Sequence, residues 1–218
     1  MNDVHITISG ERLRLLPERA LYWDRQRALL IADAHFGKSA TFRAFHIPVP
    51  EGSLHADLAR LTQALARTRA NKLIILGDLL HTAKGRDADT VAAVARWREQ
   101  HPDLDITLVR GNHDRHAGDP PPSWRIPAVN APLPLPPFVL AHQPREAEDY
   151  VLAGHLHPLA QLTGPGKQAL RLPCFWFGAR AAVLPAFSEF TDGMLIRPAP
   201  RDQVFVVTPA QVLHLNPP

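Results

Sequence analysis

The sequence is nearly without cysteine, Cys174 being the only one. No intrachain disulfide can form, so a hydrophobic core must hold the fold, as suits a reducing compartment. Also missing is any apolar run near the roughly 18 residues of a membrane span. Met1 to Gly10 lacks a basic segment leading into an apolar one, the pattern of a secretion signal. These absences lead to the expectation of a cytoplasmic protein with no membrane association. No sign of charge dominates either, since 24 Lys and Arg face 21 Asp and Glu. A pI near 9.4 allows an anionic partner without identifying one. There is no internal repeat and no hinge-like linker, so residues 1–218 read as one domain. At 45% hydrophobic and 21% charged residues, global disorder is excluded.

What the sequence does have is a recurring handover from apolar run to polar cluster. Ala28 to Ala32 ends in Asp33-Ala34-His35, and Lys72 to Leu76 ends in Gly77-Asp78. Asp105 to Val109 leads to Arg110-Gly111-Asn112-His113-Asp114. Phe138 to Ala141 ends in His142, and Tyr150 to Ala153 in Gly154-His155-Leu156-His157. In layered α/β folds the carboxyl ends of strands are where ligands bind.

Between these runs, Val4-Ile6-Ile8 alternates as an outer strand, and 20–24 with 28–33 reads as a hairpin. Residues 37–52 show no periodicity and read as a loop mixing basic and aromatic side chains. Ser53 is the expected N-cap of a helix to about Arg69, with Leu54, Leu58, Leu61 and Leu65 on one face. A second helix is expected near Asp87 to Gln100, giving a β-α-β-α-β alternation and a largely parallel sheet. Eight prolines in 118–137 predict a long loop, and only short strand-like runs follow. The expected fold class is therefore α/β, with a second β-rich layer packed on the first and helices outside.

The polar clusters supply metal donors of mixed hardness. Asp33 and His35, two apart in an extended segment, would point the same way. Asp78 can offer oxygens to two ions, Asn112 a neutral carbonyl, and His142, His155 and His157 imidazoles. Glycines precede Asp78, Asn112 and His155, where a missing Cβ would allow a sharp turn. Seven donors divide into two sites sharing Asp78, about 3.5–4 Å apart in centres of this kind. A single buried His or Asp is more often structural, but seven at matching strand ends reverse that reading.

The ordered set D-x-H, G-D, G-N-H-D, H and G-H-x-H, from Asp33 to His157, resembles the calcineurin-like metallophosphoesterase superfamily. The resemblance implies a four-layer α/β/β/α sandwich. It also implies one ion on Asp33, His35, Asp78 and His157, and a second on Asp78, Asn112, His142 and His155. Two softer segments are similar to a narrower family, the bacterial ligase-associated DNA-damage-response endonucleases known as PdeM. They are His35-Phe36-Gly37-Lys38 through Phe42-Arg43 to Ile47-Pro48-Val49-Pro50-Glu51-Gly52, and Leu184-Pro185-Ala186-Phe187-Ser188-Glu189-Phe190-Thr191-Asp192-Gly193. That family implies DNA as substrate, a role in DNA repair, and a DNA ligase, a helicase and an exonuclease as functional associates.

The expected chemistry is phosphodiester hydrolysis by a hydroxide bridging two divalent ions, with manganese favoured and iron or zinc also accommodated. His113 is the candidate general acid, since imidazoles titrate near neutrality. Asp114 is expected to orient that imidazole, and Lys38, Arg43 and Arg110 to contact phosphates. The basic loop 38–52 also leaves open a homodimer contact, and the roles of His81 and His116 stay open. Competing readings are a small-molecule phosphoesterase and a metal-bound scaffold without catalysis. A general acid at His113 would be useless to the scaffold.

Overall fold

A computed structural model describes residues 3–47, 49, 52–164, 166 and 168–215. Pro48, Pro50 and Glu51, part of the His35–Gly52 segment, lie outside the described residues. The first sheet contains β1 (Val4–Ile8), β2 (Glu11–Leu16), β3 (Ala20–Trp23), β4 (Ala28–Ile31), β5 (Lys72–Ile75), β6 (Asp105–Val109) and β7 (Ala128–Val129), in that spatial order. Strands β1 to β4 form an antiparallel meander, and β4 to β7 run parallel. Two long helices serve as the crossovers, α2 (Ser53–Thr68) and α3 (Ala88–Glu99). They are accompanied by the short α1 (Lys38–Ala44) and α4 (Asn112–Ala117).

The parallel strands are buried on both faces, and their period of two divides the side chains between two cores. Leu29, Ile31, Leu73, Ile75, Ile106 and Leu108 meet Leu58, Leu61, Leu65, Val94 and Trp97 of the helices. Ala28, Leu30, Ala32, Ile74, Leu76 and Val109 face the second sheet instead. That sheet comprises β8 (Leu133–Leu135), β9 (Phe138–Leu140), β10 (Tyr150–Ala153), β11 (Pro158–Thr163), β12 (Ala169–Phe177), β13 (Ala181–Val183), β14 (Met194–Leu195), β15 (Gln203–Val207) and β16 (Val212–Leu215). Phe138, Leu140, Leu152, Phe175, Phe177 and Phe205 close the inter-sheet core from this side. Truncating a residue such as Leu61 or Phe175 to Ala would cost about 2–5 kcal/mol.

The α/β class and the two-sheet sandwich are as expected. The outer helical layer is one-sided: among the described residues no α-helix follows Ala117. Small residues (Ala141, Val151 and Ala153, with Ala131, Ala147 and Ala181) pack on the far face of β10, where loops can approach closely. Six strands and α-helices were not legible, β7 and β8 among them: these two- and three-residue strands lie inside the proline-rich stretch 118–137 expected as a long loop. In β2, Leu13 and Leu15 alternate with Arg12 and Arg14, a two-residue signal too brief to stand out. Strand β11 and helix α4 are similarly short. The expected loop after Gly37 is the helix α1, whose buried face is Ser39, Ala40 and Thr41 rather than an apolar stripe. Ser53 is not an N-cap: Gly52 takes that position with φ 90°, and Ser53 Oγ lies 3.0 Å from Ser39 Oγ.

Candidate metal centre

All five polar clusters lie at the carboxyl ends of parallel strands: β4, β5 and β6 in one sheet, β9 and β10 in the other. An isolated parallel bridge between Ala32 and Ala186 ties the two sheets together beside Asp33. The seven expected donors converge there. Asp33, His35 and His157 form one trio and Asp78, His142 and His155 another, each with ligand atoms within 4.8 Å of one another. His35 Nε2 lies 3.4 Å from His157 Nε2, which lies 3.4 Å from Asp33 Oδ1. In the second trio His142 Nε2 is 3.3 Å from Asp78 Oδ2, 3.0 Å from His155 Nδ1 and 2.9 Å from Asn112 Oδ1.

Backbone carbonyls set the tautomers. His142 Nδ1–H donates to the Leu76 carbonyl at 3.0 Å, and His157 Nδ1–H to that of Asp192 at 2.8 Å. Both rings therefore present a lone pair on Nε2 to the centre, as metal-bound imidazoles do.

The backbone is strained where these donors meet. Asp33, His35, Asp78, His155 and His157 all have positive φ, between 44° and 70°. Strain of this kind persists only where the surroundings over-determine it. Asp33 and His35 are thus turned by left-handed residues, not aligned in an extended segment as expected. The glycines act differently from the expectation too. Of the three, only Gly77 uses a left-handed φ, 81°. At each, a Cβ would strike a donor from a neighbouring loop: His142 Nδ1 at 2.3 Å from Gly77, Asp78 Oδ1 at 2.1 Å from Gly111, Asp33 Oδ2 at 2.5 Å from Gly154. Their chief service is lateral room for the next ligand.

Electrostatics mark the centre as short of positive charge. Burial pulls the His142 and His157 imidazoles down, but the Asp78 and Asp33 carboxylates outweigh it and leave both above the usual value. Burial likewise pushes Asp78 up, yet bonds from His142 and the His113 amide hold it below the ordinary carboxylate range. His35, lacking an equal partner, is driven down to about 2, chiefly by burial.

A family model for calcineurin-like phosphoesterases matches residues 26–138. The solved structure of a nuclease, MPE, from Pseudomonas putida is 42% identical, covering 98% of this chain and 100% of that one, with a TM-score of 0.87. The chain belongs to the calcineurin-like phosphoesterase family. YfcE, a phosphoesterase from E. coli, is 16% identical over 82% of this chain and 86% of its own, with a TM-score of 0.41. Among curated proteins there is no match. The chain is a metal-dependent phosphoesterase.

The residues fit the divalent ions this family implies. Asp33 Oδ2 accepts from the His155 amide at 2.8 Å, but Oδ1 is buried with no hydrogen-bond partner among the described residues. An orphaned carboxylate oxygen costs at least about 1–3 kcal/mol. A divalent cation held there by Asp33 and His157 would satisfy it.

Next to the trios, His113 Nδ1–H donates to the His81 carbonyl at 2.7 Å, leaving Nε2 facing the centre, 4.0 Å from Asp78 Oδ2. The His81 ring stacks on His113 at 5.0 Å, and its Nδ1 lies 3.4 Å from His35 Nδ1. Burial, aided by His113 and Lys38, brings His81 down to about 4. Asp114 does not take the place expected for it. Its carboxylate accepts from the backbone amides of Asp78, Gly111 and Leu80 at 2.8, 2.9 and 3.3 Å, stapling the β5 and β6 loops together. The His81 carbonyl orients His113 instead, a backbone group that no residue pattern reveals.

Of the expected phosphate contacts, only Lys38 is brought close. Its Nζ sits 5.8 Å from the Phe42 ring and 5.7 Å from Phe190, and the two rings meet edge to face at 5.5 Å. Phe42 also lies 6.1 Å from His81, so this wall adjoins the general-acid candidate. Thr41 Oγ1, 2.9 Å from Thr82 Oγ1, pins α1 to the loop carrying His81. Arg43 is exposed on α1. Arg110 is committed to Asp119, through bonds of 2.7 and 2.8 Å, and to Asn130. His116 is exposed on α4. Phe190, which no site prediction included, belongs to the Leu184–Gly193 motif and was findable there.

Proposed function

We propose that this phosphoesterase is a two-metal phosphodiesterase that cuts DNA, acting in DNA repair alongside a DNA ligase, a helicase and an exonuclease. The observation that carries the reading is the 42% identity to a nuclease over 98% of the chain, with all seven donors gathered at one junction. Asp33, His35, Asp78 and His157 would hold one ion, and Asp78, Asn112, His142 and His155 the other. Mixed oxygen and nitrogen donors suit manganese, with iron or zinc as substitutes. Such ions supply charge neutralisation at phosphoryl oxygens and acidify coordinated water.

The protein's own groups do the rest. His113 carries the proton on Nε2 that the leaving alkoxide takes, and the His81 carbonyl holds the ring so that Nε2 faces the centre. Asp114 keeps Asp78 and the Asn112 turn in register. Lys38 offers a charge to a phosphate, while Phe42 and Phe190 offer faces and edges for an unpaired base. Arg43, one turn further on, extends the positive charge along α1.

The test is a substrate panel with manganese: plasmid DNA, single-stranded DNA, a model diester, a model monoester and nucleotides. DNA cleavage with diester in preference to monoester is the expected result. Hydrolysis of monoesters or nucleotides with DNA left intact would overturn it.

A further inference from the structure

Beside the second donor trio, with neither Lys38 nor Phe190 in its lining, lies a cavity of about 290 Å³. Its lining includes Asn112 and His142, so it opens directly on the second donor trio. The other polar groups in its wall are Gln143 and three arginines, Arg110, Arg115 and Arg145, and no carboxylate lines it. Arg110 is neutralised by Asp119. Arg115, on α4, and Arg145, in the loop after β9, are exposed and have no acidic partner among the described residues. Two unpaired guanidiniums, in a recess beside a phosphoryl-transfer centre, make a ready receptor for a phosphate group.

This differs in kind from the Lys38 flank. There the cation is a single lysine between two aromatic rings, suited to a base and one phosphate. Here no Phe, Tyr or Trp lines the recess, and guanidinium charge is its distinguishing chemistry. A strand crossing the centre would place a base on one side and a backbone phosphate on the other.

We infer that the Arg115–Arg145 cavity is a subsite for the phosphate one nucleotide removed from the scissile one. The inference rests on the nuclease reading and adds to it a direction-dependent requirement for a second phosphate. Gln143 Nε2, 3.4 Å from His155 Nε2, sits between this cavity and the centre and is placed to contact the linking sugar-phosphate.

The experiment uses four small esters, each with nitrophenol as leaving group, in manganese. Thymidine 5′-(p-nitrophenyl phosphate) is compared with and without a 3′-phosphate, and thymidine 3′-(p-nitrophenyl phosphate) with and without a 5′-phosphate. For one of the two pairs, the added phosphate should raise wild-type kcat/KM by about 10- to 100-fold. In R115A/R145A that ratio should fall to near one, and in R115K/R145K it should be partly restored. A second readout needs no turnover: in chelator, thymidine 3′,5′-bisphosphate should bind the wild type more tightly than the 5′-monophosphate. The double alanine variant should lose that difference. No advantage from either added phosphate in the wild type would overturn the subsite, as would an advantage undiminished in R115A/R145A. Plasmid nicking by the wild type, measured alongside, judges the nuclease reading separately. Esters cleaved with DNA intact would sink that reading and leave the subsite to be decided by the ratios.

Discussion

The two sheets contribute unlike halves of the centre. The first delivers the anions and the neutral oxygen: Asp33, Asp78 and Asn112, with His35 as its one imidazole among the seven donors. The second delivers imidazoles alone: His142, His155 and His157. The carboxylates are also the more deeply set, Asp33 at 0% and Asp78 at 2% exposure, where His157 retains 20% on its side chain. Their strands are packed on both faces by separate cores. Strand β10, by contrast, has small residues and loops on its outer face. The difference teaches that the first sheet supplies the buried negative charge, while His155 and His157 of the second, unlike the buried His142, border the opening.

The sharpest way to break this comparison is to remove the carboxylate common to both trios' surroundings. Asp78 accepts from the His113 amide through Oδ1, at 2.9 Å, and faces His142 through Oδ2. Asp78→Ala should abolish activity and lower metal content at both sites, whereas His155→Ala should lower it at one. Metal analysis of the purified variants decides. Two ions held at normal affinity by the Asp78 variant would show that the halves do not share this ligand.

Next in size is the proton donor. His113→Ala should slow cleavage of substrates with alkoxide leaving groups by roughly 10²–10⁴-fold. A nitrophenyl ester, whose leaving group needs little protonation, should lose less. Equal losses would assign His113 to positioning. Asp114→Asn is the control from the same loop. With one acceptor oxygen in place of two it should lower the melting temperature, and its losses should not depend on the leaving group.

Much of this was legible in the sequence because strand ends and donors coincide. The seven donors stood directly after apolar runs, so their register followed from the strands. The two long crossover helices were legible, α2 through leucines at helical spacing and α3 through Val91, Val94 and Trp97. What escaped depended on groups without side-chain identity or on close approach. The His81 carbonyl that orients His113 is backbone. The glycine contacts with His142, Asp78 and Asp33 arise between loops far apart in sequence. Asp114 looked like the carboxylate behind a catalytic histidine, yet it caps three amides, because the short helix α4 turns it back toward Gly111. Helix α1 hid because its buried face is small and polar, held by the Thr41–Thr82 contact rather than by leucines.

A smaller effect is expected on the aromatic flank. The Lys38→Ala, Arg43→Ala double variant should lose about 10- to 100-fold in DNA affinity, and that affinity should fall less steeply with added salt. Hydrolysis of a small diester should largely survive. Gel-shift titration at several salt concentrations, run beside diester kinetics, separates the outcomes. Parallel loss of both activities would mean that α1 supports the metal centre instead of holding substrate.

The smallest expected effect is none at all, and it tests whether the halves are independent of the metal that joins them. Cys174 lies in β12, at 0% exposure, and burial pushes its thiol up to about 12. It can react with a thiol reagent at pH 8 only when the second sheet opens. For an opening free energy of about 5 kcal/mol, labelling would be roughly five-thousandfold slower than for a free thiol. Metal removal withdraws binding free energy, worth about 2.7 kcal/mol at a hundredfold excess over Kd, and should lower the melting temperature. The cores around β12 are built of apolar side chains, Phe175, Phe177, Phe205, Val204 and Val206 among them, and do not draw on the ions. Below the melting transition, chelated protein should therefore label Cys174 as slowly as the metal-loaded form, with full labelling only in denaturant. Rapid labelling on chelation alone would show that the ions hold the second sheet closed, and the two halves would have to be read as a single metal-dependent unit.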